Sequence, residues 1–162
     1  MKAEVNGLNK EVVELLCSKG MKISAAESCT GGLFAALITD VPGASDVLDE
    51  SFVTYANSAK MKHLGVKKET LEKHGAVSYE TAFEMASGLH IRTGADVTVG
   101  ITGIAGPGGG TAKKPVGLVY AGICINGETE VIKMNHSGNR EEVREKTCGQ
   151  VFETIKNKIS VL

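Results

Sequence analysis

The sequence predicts an α/β fold, a three-layer α/β/α sandwich on a mixed, mostly parallel sheet with one late antiparallel hairpin. Two observations support this prediction. Segments with helical spacing alternate with short apolar runs, which favours helices packed on both faces of a sheet. Late in the chain, Asn126-Gly127 separates two strand-like runs and is a strong hairpin signal. The 162 residues fit one domain, which we expect to span residues 1–162.

The first half of the chain supplies most of this alternation. Gly20 ends a run of apolar residues at helical spacing, and Gly65 and Gly75 end two shorter helical runs. Pro42 and Gly43 mark a loop. The predicted elements are a helix over 4–18, a strand over 21–26, a helix over 33–38, a strand over 47–55, and helices over 57–64 and 67–74.

In the second half, two helix starts have clear capping signals. Ser78 is a good N-cap, and Gly94 closes the helix that follows it. Asn139, with Glu142 three residues later, forms a capping box at the start of a long final helix. Strands are predicted over 97–101, 116–125 and 128–134, and the hairpin turn joins the last two.

The composition is typical of a globular protein and argues against several classes of function. Hydrophobic residues make up 42% and charged residues 23%. A net charge of −1 and 4% aromatic residues provide no basic stripe or stacking platform, so no nucleic acid partner is expected. The four cysteines are scattered, which disfavours a disulfide framework or a zinc site. Because neither a signal peptide nor a run of membrane length is visible, we expect a cytoplasmic protein without membrane partners.

A polar turn between two apolar runs, residues 26–32 with the sequence AESCTGG, is the most promising site. We expect Thr30 to cap the following helix through its hydroxyl, while Gly31 and Gly32 let a ligand approach the backbone. The free N–H groups at the helix start would then face an anion or a developing oxyanion. Ser28 and Cys29, two potential nucleophiles, lie on the same turn.

A second glycine-rich turn, residues 102–110, follows another apolar run, so the two turns predict one composite pocket. This turn fits neither the P-loop pattern nor the dinucleotide fingerprint. Ser28 is not in a G-x-S-x-G elbow, and no metal-ligand spacing is present. The remaining interpretation is a site without metal or cofactor, built from hydroxyls and a lysine.

From the residues alone, the individual roles stay open. Ser28 is either a nucleophile or a cap and ligand hydrogen bonder, and Cys29 is either a competing nucleophile or a buried core residue. Lys60, close to Tyr55 in the sequence, would act as a base if desolvation lowers its pKa, but most lysines are solvated. Arg140 at a helix start opposes the helix dipole, which indicates an anion partner or an ordinary surface arginine.

At these residues the sequence resembles the CinA C-terminal domain family, the nicotinamide mononucleotide deamidases. The matching stretches run in the same order from about residue 25 to residue 144: AESCTGG, TDVPGAS, FVTYANSAK, HLGV, ETLEKHGAVS, ITGIAGPGGGTAKKPVG and GNREEVR. The resemblance implies hydrolysis of the carboxamide of nicotinamide mononucleotide, which gives nicotinic acid mononucleotide and ammonia. It also implies a homodimer or a higher homo-oligomer.

The resemblance further implies catalytic roles for particular residues. Ser28 is the implied nucleophile or its close partner, Lys60 the base, Tyr55 an aid to proton transfer, and Ser45 a further active-site hydroxyl. The candidate substrate-binding residues are Thr30, Gly31, Gly32, Thr102, Gly103, Gly106 and Arg140. Arg140 is the implied phosphate ligand, with Arg144 as its alternative, because the family usually has Gly-Asp-Arg where this chain has Gly138-Asn139-Arg140.

Two rival hypotheses remain beside the amidohydrolase. A non-catalytic nucleotide-binding or regulatory module would keep both glycine-rich turns without needing Lys60. An amidase that uses Cys29 would differ only in its nucleophile. In each case the expected partner is a small-molecule nucleotide.

Overall fold

Residues 5–162, which the computed structural model describes, form a five-stranded sheet with helices on both faces. The sheet order is β2-β1-β3-β4-β5. The helices are α1 (Leu8–Lys19), α2 (Leu33–Thr39), α3 (Asn57–Leu64), α4 (Lys68–His74), α5 (Tyr79–Thr93) and α6 (Arg140–Ile159). The strands are β1 (Ile23–Glu27), β2 (Phe52–Val53), β3 (Val97–Gly103), β4 (Leu118–Ile125) and β5 (Glu128–Asn135). None of these helices combines the length and hydropathy needed to cross a bilayer.

The predicted mixed sheet with a late hairpin is confirmed. Strands β2, β1 and β3 are parallel, whereas β4 is antiparallel to both β3 and β5. Among these strands, therefore, only β4 runs against the other four. Asn126 and Gly127 join β4 to β5 with φ of 51° and 89°, as a type I′ hairpin turn requires. The carboxyl ends of β1, β2, β3 and β5 consequently lie at one edge of the sheet.

The helices cover the two faces of the sheet and give the predicted three layers. On one face, α1, α2 and α6 enclose the larger core, in which the rings of Phe34 and Phe152 stack with centroids 4.3 Å apart. On the other face, a smaller apolar cluster that includes Leu64 and Met85 joins α3, α4 and α5 to the sheet.

Helix α5 lies unusually close to the sheet because two glycines face it. Gly100 of β3 and Gly122 of β4 are register partners. A Cβ atom at Gly122 would lie 2.2 Å from the Ala82 carbonyl oxygen, so any larger residue there would push the helix outward. Thr98 adds a direct bond, since its hydroxyl donates to the Ala86 carbonyl oxygen at 2.7 Å. This contact fixes the middle of α5 against the start of β3.

Strand β2 is much shorter than the predicted strand over 47–55. Leu48 forms an isolated bridge with β1 and Phe52 pairs with β1 again, but the polar residues between them bulge out of the ladder. There the Ser51 hydroxyl accepts from the Ala25 N–H at 3.1 Å and replaces a backbone partner. Side-chain competition for the backbone, which the alternation of residues does not reveal, ends the strand.

Most other boundaries agree with the prediction to within a few residues. The first helix begins at Leu8, because Gly7 precedes it in the left-handed region with φ of 79°. Residue 4, the start of the predicted range, lies outside the described residues. Strand β4 begins at Leu118 rather than at residue 116, since Gly117 turns the chain with φ of 94°. The caps at Ser78 and Asn139 are confirmed, the latter as a complete capping box.

Candidate active site

A cavity of about 240 Å³ opens at the sheet edge where the four parallel strands end. Each strand leads into part of its lining, as expected for ligand sites on open α/β sheets. The predicted residues that line it are Ser28, Tyr55, Lys60, Thr102, Gly103, Gly106 and Arg140. The structure therefore brings both glycine-rich turns to one pocket.

Lys60 is a buried lysine that lines this cavity. Its side chain extends from α3 and only 1% of the residue is exposed. Nζ lies 3.1 Å from the Ser28 hydroxyl, 2.9 Å from the Thr54 carbonyl oxygen and 3.0 Å from the Tyr55 carbonyl oxygen. Since α3 starts directly after this segment, one local turn of the chain supplies the lysine and both carbonyls.

The two carbonyls decide what Lys60 can do with Ser28. A carbonyl oxygen only accepts, so two N–H bonds of Lys60 are directed at Thr54 and Tyr55. The third position on Nζ faces Ser28: an ammonium donates there, whereas a neutral amine presents its lone pair to the serine O–H. Burial removes hydration from the charged form and lowers the pKa of Lys60, which favours the neutral amine. The neutral amine of Lys60 is thus placed to accept the hydroxyl proton of Ser28.

Cys29 also lines the cavity, but its thiol is poorly suited to attack. The residue is 6% exposed, and burial raises its pKa to about 12. The nearby Glu27 carboxylate also disfavours the thiolate. A thiol in this environment stays protonated near neutral pH, so the geometry favours Ser28 over Cys29 as the nucleophile.

The position of Glu27 contradicts the prediction that the N–H groups at the start of α2 face an anionic ligand. Its carboxylate is fully buried and accepts from the N–H groups of Phe34 at 2.8 Å and Ala35 at 3.1 Å. A side chain of the protein therefore already occupies the anion position at this helix N-terminus. The prediction that these N–H groups face a ligand is wrong. No pattern described above selects Glu27, although an acidic residue shortly before a helix start is a usable signal.

The expected Thr30 cap is also wrong. The N-cap of α2 is Gly32, with φ of 100° and no side-chain hydrogen bond. The Thr30 hydroxyl is buried without a hydrogen-bond partner in the described residues. Neither Thr30 nor Gly31 nor Gly32 lines the cavity. Their backbone shapes the turn that presents Ser28.

Arg144 holds this turn from the final helix. Its Nε donates to the Cys29 carbonyl oxygen at 3.2 Å and its Nη2 donates to the Thr30 carbonyl oxygen at 2.9 Å. The guanidinium is thus engaged by consecutive carbonyls immediately after Ser28, and the residue does not line the cavity. Of the two candidate phosphate ligands, the structure brings only Arg140 to the pocket.

Arg140 and Tyr55 form the rim of the cavity. Arg140 is the first residue of α6, and its guanidinium donates to the Gly106 carbonyl oxygen at 2.7 Å and to the Tyr55 hydroxyl at 3.3 Å. Tyr55 is 61% exposed, so its phenol lies at the opening while its carbonyl oxygen accepts from Lys60. This arrangement links the second glycine-rich turn to the segment that follows β2.

The second turn is shaped by Thr102 and its glycines. The buried Thr102 hydroxyl donates to the Ala76 carbonyl oxygen at 2.8 Å, which ties the end of β3 to the segment before α5. Ala76 and Val77, which no sequence pattern singled out, complete this wall. At Gly106 φ is 84°, and a Cβ atom would lie 2.4 Å from a Val116 methyl group.

Ser45 is not brought to the cavity. It lies exposed in a short 3-10 turn (Ala44–Asp46) just before Val47, whose carbonyl accepts from the N–H of Ile23. Ile23 begins β1, whereas Ser28 follows its last residue. At about 3.3 Å per residue the strand separates the two ends by roughly 16 Å. Ser45 therefore lies towards the opposite edge of the sheet.

Comparison with known families gives one clear match. The family model for the CinA C-terminal domain matches residues 5–159. A CinA-like protein of Kosmotoga olearia is 55% identical over 141 residues, and a Clostridium perfringens protein named for competence and damage induction is 52% identical over 152 residues. These alignments cover 87% and 94% of this chain, but only 34% and 37% of the relatives. The chain thus spans little more than a third of the length of these relatives.

Solved structures match over almost their whole length. The competence/damage inducible protein CihA of Agrobacterium tumefaciens is 42% identical with a TM-score of 0.92, and the match covers 97% of this chain and 96% of that one. A CinA superfamily protein of Klebsiella pneumoniae is 32% identical with a TM-score of 0.93, covering 98% and 99%. These proteins share the layered sheet described above.

Proposed function

The chain belongs to the CinA C-terminal domain family, and from this premise we propose that it is an amidohydrolase. Its proposed substrate is nicotinamide mononucleotide, which it converts to nicotinic acid mononucleotide and ammonia. The observation that carries the proposal is the buried pair of Lys60 and Ser28, with 3.1 Å between Nζ and Oγ. A binding module has no need for a buried lysine whose remaining donors are engaged by carbonyls.

The proposed reaction starts with the attack of Ser28 Oγ on the carboxamide carbon. As the new C–O bond forms, the serine proton passes to the neutral amine of Lys60. The tetrahedral oxyanion then collapses and the C–N bond breaks. The Lys60 ammonium gives its proton to the departing nitrogen, which leaves as ammonia, and an acyl ester remains on Ser28.

The second half of the reaction repeats these roles with water. Water adds to the ester carbon while Lys60 accepts its proton, and collapse of the intermediate breaks the bond to Ser28. Lys60 returns the proton to the serine oxygen, and the pyridine carboxylic acid that forms is released and gives up its own proton to solvent water. Water is the one co-reactant that the two halves of the proposed reaction consume.

The substrate phosphate would be held at the cavity rim. Arg140 is the cation that lines the opening, and a guanidinium pairs well with phosphate oxygens. Its bonds to Tyr55 and Gly106 fix its position beside both walls of the cavity. Lys60 lies deeper, so the charged end of the mononucleotide would point outward and the carboxamide inward.

The deciding experiment is turnover of nicotinamide mononucleotide by the purified protein. We expect equimolar release of ammonia and nicotinic acid mononucleotide, with no release by Lys60→Met protein. Binding of the mononucleotide in calorimetry without release of ammonia would instead support the non-catalytic module. If neither binding nor turnover occurs, the substrate assignment is wrong.

A further inference from the structure

The hydrogen bonds of β3 alternate between its two neighbouring strands. The Ile104 N–H, just beyond the strand, donates to Leu118 of β4 at 2.9 Å, whereas the Val97 N–H donates to the segment that leads into β1 at 2.9 Å. Odd-numbered residues of β3 therefore direct their N–H groups towards β1. Gly103, the last residue of β3, is one of these.

The ladder bond that Gly103 would make next towards β1 is missing. The last bond between the two strands runs from the Ser28 N–H to the Ile101 carbonyl oxygen at 3.0 Å. The chain then turns, and the Ser28 carbonyl oxygen accepts from the Gly31 N–H at 3.0 Å. No hydrogen bond from the Gly103 N–H towards β1 is present among residues 5–162. Because Gly103 lines the cavity, this N–H is a free donor at its wall.

The Ser28 side chain lies between this donor and Lys60. The segment that binds the lysine continues β2, and Gly103 ends β3, so the sheet order β2-β1-β3 puts Ser28 in the middle. Neighbouring strands are about 4.7–4.9 Å apart, which leaves room for one oxygen atom between the serine and the Gly103 N–H. A donor about 2.7–3.1 Å from the developing oxyanion is what acyl transfer requires.

The side-chain donors at the cavity are engaged by other acceptors. The Thr102 hydroxyl and the Arg140 guanidinium each donate to a backbone carbonyl. Lys60 is needed to accept and return the serine proton, and the Glu27 carboxylate accepts from the N–H groups at the start of α2. Stabilisation of the oxyanion therefore has to come from the backbone, and Gly103 supplies the backbone donor that the sheet brings beside the serine.

We propose that the Gly103 N–H is a catalytic donor that stabilises the tetrahedral oxyanion of the amide hydrolysis. The role assigned to Gly103 rests on the proposed function, and it moves the oxyanion site from the start of α2, where the sequence predicts it, to the end of β3. As Ser28 Oγ bonds to the carboxamide carbon, an electron pair of the C=O bond moves to the oxygen and the serine proton passes to Lys60. The Gly103 N–H binds this oxygen while it is charged, which raises kcat without tightening substrate binding.

A boronic acid analogue of the mononucleotide, in which boronic acid replaces the carboxamide, tests this hydrogen bond. Ser28 Oγ adds to the trigonal boron, its proton passes to Lys60, and the anionic tetrahedral adduct places an oxygen where the oxyanion forms. The protein is labelled with carbonyl-¹³C threonine and ¹⁵N-glycine. A spectrum that selects linked pairs then shows only Gly31, Gly94 and Gly103, because these are the glycines that follow a threonine.

We expect the Gly103 amide proton to move downfield furthest of the three when the adduct forms, and no such shift in Ser28→Ala protein. Gly94 is the internal control, since its N–H donates to the His90 carbonyl oxygen at the end of α5. An adduct seen by ¹¹B spectroscopy that leaves the Gly103 signal in place, or moves Gly31 further, overturns the role of Gly103 alone. If neither an adduct nor ammonia release from the mononucleotide occurs, the proposed function fails and the role of Gly103 fails with it.

An amide-to-ester replacement gives the kinetic test. Cell-free synthesis of the full chain with glycolic acid in place of Gly103 exchanges this N–H for an oxygen atom and changes no side chain. We expect kcat for ammonia release to fall about 10²- to 10³-fold while KM changes less than about three-fold. Glycolic acid in place of Gly43 is the matched control: this glycine is exposed, its N–H makes no hydrogen bond in the described part of the chain, and kcat should be unchanged. An unchanged kcat at position 103, or a rise in KM alone, overturns the proposal.

Discussion

Arg144 donates from Nη2 to the Thr30 carbonyl oxygen at 2.9 Å, which ties the final helix to the turn that presents Ser28. The same helix begins with Arg140 at the cavity rim. One rigid element therefore sets both the position of the proposed nucleophile and the position of the proposed anion ligand. The two arginines lie one helical turn apart, yet their contacts predict that replacing each one changes a different kinetic constant.

The Arg140→Ala and Arg144→Ala variants should separate binding from positioning. Losing the Arg140 charge removes the proposed contact to phosphate, worth roughly 1.5–3 kcal/mol, so we expect KM to rise about 10- to 150-fold with little change in kcat. Losing Arg144 frees the turn, so kcat should fall while KM changes little. Steady-state kinetics on nicotinamide mononucleotide measure both. A pure KM effect in Arg144→Ala protein would mean that Arg144 contacts the substrate.

Replacing the two neighbouring nucleophile candidates should give opposite results. Ser28→Ala removes the attacking oxygen, and we expect kcat to fall by about 10³-fold or more. Cys29→Ala removes a protonated, buried thiol and should retain most of the activity. Ammonia release under saturating substrate is the measurement. Loss of turnover in the cysteine variant alone would transfer the nucleophile role to Cys29.

The buried amine of Lys60 leads us to predict that activity depends on pH. Its pKa is lowered from the ordinary 10.5 by burial, and only the neutral amine can accept the serine proton. Turnover should therefore rise with pH through that lowered pKa. Lys60→Met should abolish the activity, whereas Lys62→Met, an exposed lysine on the same helix, should leave the profile unchanged. A wild-type rate that does not depend on pH in this range would count against the base role.

The lowered pKa of Lys60 also predicts how the stability of the folded protein depends on pH. Between the lowered pKa of folded Lys60 and 10.5, the unfolded chain binds a proton that the folded protein releases. The contribution of Lys60 to the free energy of unfolding should thus rise with pH across this window and be lowest below it. Urea unfolding of wild-type and Lys60→Met protein at several pH values checks this. Parallel curves for the two proteins would show that Lys60 is not the group responsible.

Glu27 should matter for folding as well as for the site. Gln at this position keeps one carbonyl oxygen but turns an N–H₂ group towards an N–H of α2. Because a buried donor is then left unsatisfied, we expect the free energy of unfolding to fall by about 1–3 kcal/mol. Glu153→Gln, an exposed change on α6, serves as the control. Equal urea midpoints for the two variants would show that the bonds to Phe34 and Ala35 add little to stability.

The order of elements and much of the site could be predicted, because periodicity and turn residues reflect local physics. Asn126-Gly127 and the Asn139 capping box specify their own backbone shape, and both form as expected. The end of β2 and the start of α2 depend instead on side chains that compete for backbone groups. The Ser51 hydroxyl replaces a backbone acceptor beside β1, and the Glu27 carboxylate accepts from N–H groups at the start of α2. Neither contact changes the spacing of apolar residues in the sequence. The distance of Ser45 from the cavity depends on the path of the chain around the sheet, which no local pattern records.

The direction of β4 has a practical consequence for labelling this protein. Because that strand alone returns from the cavity, its turn at Asn126-Gly127 emerges at the far edge of the sheet, a strand's length from Ser28. A fluorophore or a short affinity peptide grafted at this tip would sit outside the path of any incoming nucleotide, at the kind of exposed loop that accepts insertions. The hairpin turn is thus a position for immobilisation on a sensor chip that leaves the opening of the cavity facing the flow.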